Sequence, residues 1–351
     1  MDVYVYRQLG SEYMAQLVKL QDYISRYQID LARYPTQFVR LKKGQWDRTK
    51  RDWHNGTMMT KWEHVDETED IVIVEQQEKT KFSMLRKFFK GEPEKVYIEE
   101  EQQPTTDILN DLNEEEIPEE DSQLTFEPNI VYNPKTEDEL KRAFLDQFFH
   151  FQLKWASSTL REKSYVDPKF LRDTFLRNIL QSLPDSYLVF YYPVLRLKKA
   201  PIELDIIIMA PTECIIIKML EQENQAVYVA DGDRFWTKKI GKIDRKILNP
   251  IIELNRTETI VKQLLQSDDV DIPVRKVLLS RNGYIDYPGA IYGIQIVDKR
   301  NFMDWFMTLK RSSSPMKHMQ MKASQAIIKH AETTSFHRDI WQAESEQEEQ
   351  H

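Results

Sequence analysis

Residues 201–220 read PIELDIIIMAPTECIIIKML. Two apolar runs flank a short turn at residues 210–212, the pattern of a β-hairpin buried on both faces. The first run opens on two acids, Glu203 and Asp205, and the second ends on a lone lysine, Lys218. Alternate residues of a strand share a face, so Glu203 and Asp205 are expected to point the same way. By the same alternation Cys214, Ile216 and Lys218 share one face of the second strand and Glu213 takes the other. Pairing across the turn sets Asp205 opposite Ile216 or Lys218. An Asp205–Lys218 ion pair at the sheet margin, with the lysine stem lying along apolar surface and its head reaching water, accounts for those two residues structurally.

Outward from the hairpin the period of the sequence changes twice. Upstream, KTEDELKRAFLDQFFHFQLKWASSTL and KFLRDTFLRNILQSLPDSY have helical spacing. The first opens on Thr136 followed by Glu139, a capping-box signature, and sets Phe144, Phe148, Phe151 and Trp155 on one face. LVFYYPVLRL, IELDIIIMA, ECIIIKML, AVYVADG and RFWTKK follow as strands rich in branched and aromatic residues. Then come the helix NPIIELNRTETIVKQLLQS, the strands VRKVLLS and AIYGIQIV, and two closing helices, KRNFMDWFMTLKR and PMKHMQMKASQAIIKHAE. That order predicts an α/β fold with a mixed central sheet flanked by helices.

The N-terminal part reads differently. Tyr13, Leu17, Leu20, Ile24, Tyr27, Leu31, Tyr34, Phe38 and Leu41 recur at spacings of three and four. The spacing predicts an apolar helical stripe, broken or kinked near Pro35, that packs on the rest of the protein or recruits a partner or a second copy as a coiled coil. Trp46, Trp53 and Trp62 are interleaved with Arg48, Lys50, Arg51 and Lys61, which either anchors a helix or offers stacking and phosphate contacts to nucleic acid. EDIVIVEQ and KFSMLRKFF follow as a short strand and a short helix. Residues 99–121 hold many acids and no Lys or Arg, a composition that predicts a disordered linker. The expected layout is a helical arm at 1–98, an acidic linker at 99–134, an α/β domain at 135–335 and a polar acidic tail at 336–351.

The bulk numbers limit the function classes. In 351 residues the formal net charge is -8, yet basic clusters stand at 40–51 and 310–329, so nucleic-acid binding is not excluded. A single cysteine, Cys214, excludes an internal disulfide and a cysteine-built zinc site and fits a reducing compartment. No apolar stretch approaches the roughly 20 residues that span a bilayer. With no signal-peptide pattern at the start, the expected setting is the cytoplasm, with no membrane partner. No glycine-rich phosphate loop is present, and the histidines, among them His318, His330 and His337, show no compact metal spacing.

The hairpin resembles the PD-(D/E)XK nuclease motif: an acid on one strand, then an acid, one residue and a lysine on the next. The resemblance is closest to the nuclease-related domain (NERD) branch of bacterial proteins, over residues 170–309. Its landmarks are LRDTFLRNILQSLPDSYLVFYYPVLRL with a Leu-Pro-x-x-Tyr turn, the Glu-x-Asp of IELDIIIMA, the Asn-Pro before a helix, and VRKVLLSRNGYID. The resemblance implies a site in which carboxylates hold Mg²⁺ or Mn²⁺ and a lysine positions the attacking water. Carried over, Asp173 matches the helix acid, with Arg172 where the family has glycine; Glu203 and Asp205 match the strand acids; Lys218 matches the lysine; and Asp205, Glu203 and Asp173 are the metal ligands the resemblance implies. The second acid of the motif falls on Ile216, which cannot ligate a metal, and Glu213 faces the wrong way. Glu221 and Glu223 lie just past the strand as candidate migrated carboxylates.

With one carboxylate replaced by isoleucine, the scaffold gains a better core strand and the site loses a ligand. The expectation is a catalytically degenerate domain with a DNA-binding or DNA-processing accessory role, holding no cofactor or only a weakly bound cation. Two rivals stand beside it: an active Mg²⁺-dependent nuclease using a migrated acid, and an interaction scaffold with no nucleic-acid role.

Overall fold

The computed structural model of the protein describes residues 14–56, 126, 128, 130, 134–159, 164–197, 200–220, 225–289, 292–312 and 314–334. Strand β1 (Gln16–Leu20) leads through a 3-10 turn at Arg26–Gln28 into α1 (Tyr34–His54). Helices α2 (Glu137–Ala156), α3 (Pro168–Leu171) and α4 (Thr174–Ser182) follow. Next come β2 (Leu188–Tyr191), β3 (Val194–Leu197), β4 (Ala200–Glu203), β5 (Ile206–Met209) and β6 (Cys214–Met219). Three further strands, β7 (Val227–Val229), β8 (Phe235–Ile240) and β9 (Ile243–Leu248), precede α5 (Pro250–Ser267). The chain closes with β10 (Val274–Leu279), β11 (Tyr284–Asp286), β12 (Ile294–Val297), α6 (Phe302–Arg311) and α7 (His318–Ile328).

The central sheet is mixed and has the order β1-β2-β5-β6-β10-β12. The hairpin β5–β6 sits in its middle, with Ile206 opposite Ile217 and Met209 opposite Cys214. All of Ile206, Ile207, Ile208, Ile215, Ile216 and Ile217 are buried, as a strand pair covered on both faces requires. Cys214 lies in this core, where burial pushes its thiol up to about 12 and leaves it a small apolar residue. A second sheet, β11-β7-β8-β9, and the two-stranded β3-β4 hairpin stand beside the main one. The α/β class with a helix-flanked mixed sheet is therefore observed as expected.

Four readings of the sequence change. Residues 16–20 form the edge strand β1, parallel to β2, where a helix was expected. Leu17 and Leu20 satisfy helical spacing, but every residue of QLVKL is buried, and pairing with β2 under α2 outweighs local periodicity. Only the later part of the stripe is helical, with Pro35 in the first turn of α1, where its missing N–H costs nothing. Phe38 of α1 packs on Phe148 and Trp155 of α2 at ring-centroid distances of 5.4 and 6.1 Å, and Trp46 packs on Phe144 at 5.3 Å. The stripe is thus spent on the protein's own core, and residues 14–54 are not a separate arm.

Phe126 and Ile130 join that same core, so the end of the expected 99–134 linker is anchored; Phe126 meets Phe148 edge-on at 4.8 Å. The rest of the acidic stretch, EDIVIVEQ, KFSMLRKFF, Trp62 and the 336–351 tail lie outside the described residues. The expected helix over KFLRDTFLRNILQS breaks at Arg172 and Asp173 into α3 and α4. IELDIIIMA likewise breaks into β4 and β5 at Leu204 and Asp205, because Leu204 donates its amide to Pro193 O at 3.0 Å as the chain changes sheet. Glu203 consequently ends β4 while Asp205 stands just before β5, so the unbroken strand alternation behind the shared-face expectation does not join them.

Candidate functional site

The open end of β5 and β6 is where the acids and the lysine meet. Continuing the register one step beyond Ile206–Ile217 sets Asp205 against Lys218, and their side chains pair at 3.1 Å. Asp205 is 4% exposed and has both oxygens engaged. Oδ1 faces the Lys218 ammonium, and Oδ2 accepts the Thr257 hydroxyl at 2.9 Å. Its own amide points at Thr257 Oγ1 at 3.4 Å. Lys218 also bonds the Glu253 carboxylate. Burial pushes the Lys218 ammonium down, but the Asp205 charge and the hydrogen bonds it donates to Glu253 and Asp205 outweigh it and hold its pKa above the ordinary lysine value.

Glu253 and Thr257 both come from α5, four residues apart on one helical face. Asn249 starts that helix by accepting the Ile251 amide at 3.0 Å, with Pro250 in its first turn. Sequence reasoning found the Asn-Pro helix start but missed these two residues. A glutamate and a threonine at i and i+4 just after that start were the available signal. Arg256 of the same helix donates to Glu203 O at 3.2 Å and ties α5 to the end of β4.

Ile216 has no exposed surface and pairs with Ile207 and Lys276 on its two neighbours. It lies on the α5 side of the sheet with Lys218, so the motif position of the second acid is filled by core. Glu213 is held away from the site by Arg275 at 2.6 Å. Glu221 and Glu223 lie outside the described residues.

Asp173 has a structural partner for each oxygen. Oδ1 accepts the amides of Phe175 and Leu176 at 2.9 and 3.0 Å and caps α4; Oδ2 accepts the Tyr191 hydroxyl at 2.5 Å. Burial, and then the adjacent carboxylate, push the Tyr191 phenol well above its usual range. Tyr191 follows Phe190, which faces Ile207, so strand alternation sends Tyr191 and Asp173 to the sheet face opposite Asp205. Glu203 lies at the mouth between them. Burial raises its pKa, Lys218 opposes the rise and Asp205 adds to it. The expected ligand set of Asp173, Glu203 and Asp205 is not drawn into one centre: among the described residues no group of three or more His, Cys, Asp or Glu is placed to hold a metal ion.

The divalent cation implied by the motif does not fit this arrangement. Asp205 and Asp173 lie on opposite sheet faces with each oxygen already in a hydrogen bond or ion pair, Ile216 offers none, and the Lys218 ammonium sits between the carboxylates of Asp205 and Glu253. The protein's own cation neutralises the pair.

The other basic and aromatic candidates divide by burial. Trp46 is buried and Trp53 donates its indole N–H to Pro134 O at 2.9 Å, so both anchor α1. Lys310 is buried and Lys329 pairs with Asp268, which breaks up the expected basic face at 310–329. Arg40, Lys43, Arg48 and Arg51 remain exposed on α1, and Arg234, Lys239, Lys242 and Arg245 on or beside the β8–β9 hairpin.

Comparison with known proteins supports the reading of the hairpin. Residues 170–280 match the family model of the nuclease-related domain, NERD. The match begins where the sequence resemblance begins and contains Asp173, Glu203, Asp205, Ile216, Lys218, Glu253 and Thr257. A stretch of 42 residues is 52% identical to an RNA 2',3'-cyclic phosphodiesterase from Geobacillus stearothermophilus, and covers 12% of this chain and 13% of that protein. No solved structure matches the chain. No helix among the described residues is long and apolar enough to cross a membrane.

Proposed function

With a nuclease-related domain at residues 170–280 as the premise, we propose that the protein binds nucleic acid in a DNA-binding or DNA-processing accessory role without cleaving it. The observation that carries this reading is the Lys218 ammonium bonded to both Asp205 and Glu253 beside a buried Ile216. A hydrolytic site needs oxygen ligands for a hard cation and a lysine free to act on water. Here the lysine is committed to structure. The exposed arginines and lysines of α1 and the β8–β9 hairpin supply the phosphate contacts. The stretch shared with an RNA phosphodiesterase is too short to bring that protein's activity to this chain.

Two assays test the proposal. Purified protein incubated with plasmid and linear DNA plus Mg²⁺ or Mn²⁺ is expected to leave both intact. Binding to labelled DNA is expected at low salt, with affinity falling steeply between about 50 and 200 mM salt as counterions compete for phosphate. Absence of binding at low salt would leave the interaction-scaffold reading in its place.

Metal-dependent hydrolysis is the second reading, and Glu253 is the observation in its favour: it brings a carboxylate to the face where Ile216 offers none. It predicts metal-dependent cleavage that disappears in both Asp205→Asn and Glu253→Gln.

A further inference from the structure

At the ends of β1, β2 and β4, an open cleft of about 440 Å³ is lined by Gln21, Lys169, Phe170, Asp173, Tyr191, Tyr192 and Glu203. Resting on the nucleic-acid reading above, we propose that this cleft holds one unpaired, amino-bearing nucleobase of a single strand, stacked on Tyr192 and hydrogen-bonded by Gln21 and Glu203.

The backbone supplies the first observation. Among the described residues four non-glycine residues have positive φ, and two of them, Gln21 at 40° and Tyr192 at 48°, line this cleft. Left-handed backbone is unfavourable for glutamine and tyrosine, and it collects where a fold sacrifices stability to aim side chains at a ligand. The conformations are held from both sides. Gln21 donates its amide to Tyr191 O at 2.9 Å, and its own carbonyl accepts the Val194 amide at 3.3 Å. Two adjacent sheet ends are thus bent toward one space.

The lining chemistry supplies the second. Phe170, Tyr191 and Tyr192 form an aromatic corner: Tyr191 and Tyr192 meet at 4.9 Å and 76°, and Phe170 meets Tyr191 at 6.4 Å and 84°. As lining residues these rings offer aromatic surface to a flat heteroaromatic guest. Asp173 is closed off by its helix cap and the Tyr191 hydroxyl. Neither the Gln21 side-chain amide nor the Glu203 carboxyl has a hydrogen-bond partner among the described residues. An amide offers a donor and an acceptor, and an ionised carboxylate accepts only. That pair matches the amino edge of adenine, cytosine or guanine and gives thymine, which has no amino group, less. Lys169 lies over the Phe170 ring at 4.9 Å and pairs with Asp167 at 3.2 Å; with its side chain 61% exposed it can turn to a phosphate at the cleft mouth. Reaching the cleft requires a base out of its stack, so duplex DNA cannot fill it.

Fluorescence anisotropy with the full chain and labelled 12-mers of dA, dC and dT, and a duplex, tests the assignment at low salt. The expected result is at least roughly tenfold tighter binding of dA or dC than of dT or duplex, in line with one stacked base. Tyr192→Ala should remove most of that margin, Tyr192→Phe should keep it, and Glu203→Gln should erase the preference over dT. Thermal melts establish that each variant folds, and Tyr192→Phe serves as the conservative control. Equal binding of all strands and duplex, unchanged in these variants, overturns the cleft proposal and leaves the nucleic-acid reading standing. No binding of any probe overturns both.

Discussion

Ile216 and Lys218 stand two residues apart on one strand face and have opposite consequences. The isoleucine joins the core, while the lysine is fixed by two carboxylates over it. Removing one partner of a mostly buried ion pair leaves the other charge in poor surroundings. Lys218→Ala is therefore expected to cost about 2–3 kcal/mol, scaled down from the fully buried case because its side chain is 22% exposed; urea unfolding measures it. Lys19 gives a pH signature of the opposite sign. Its ammonium is buried beneath β1, bonded to Tyr23 O at 2.5 Å and Gln28 Oε1 at 2.9 Å, and burial lowers its pKa to about 7 from 10.5. Between those values the unfolded chain binds more protons than the folded one, so stability contributed by this group rises with pH from about 7 to about 10.5. Wild type should gain up to about 4 kcal/mol over that interval relative to Lys19→Met, at about 1.36 kcal/mol per pH unit. Parallel profiles for the two proteins would refute it.

At the scale of elements, the sequence carried the hairpin β5–β6, the helix α5 and the Asn-Pro start clearly, because each has a period or a cap that only one structure satisfies. It carried the breaks poorly. Asp173 reads as a mid-helix acid, and only the structure shows the chain bending there so that the carboxylate caps α4. Glu203 and Asp205 read as one strand face because nothing local marks the change of sheet at Leu204. Glu253 was hidden because it lies 35 positions beyond Lys218 and meets it only through tertiary packing. The cap has a direct test. Asp173→Ala should cost about 1–2 kcal/mol, the range for losing an N-cap, whereas Asp173→Asn should retain most of the stability. Equal losses in the two variants would mean that charge, not capping, is what Asp173 provides.

Across the whole molecule one core joins α1, the Phe126 anchor, α2 and the central sheet. Phe38→Ala should therefore cost about 3–5 kcal/mol, the usual range for a phenylalanine emptied from a core. It should shift a single unfolding transition seen by all probes, whereas an independent arm would unfold in a step of its own. The same core carries the nuclease-like strand ends, the aromatic cleft and the helix α1 with its exposed basic residues. The central claim is that the ammonium of Lys218 takes the place of the metal at those strand ends. Titration of Mn²⁺ into the purified protein, with free ion followed by electron paramagnetic resonance, addresses it directly. The account predicts no saturable one-to-one site in wild type and an unchanged titration in Asp205→Asn; a single Mn²⁺ site that disappears in Asp205→Asn would contradict it.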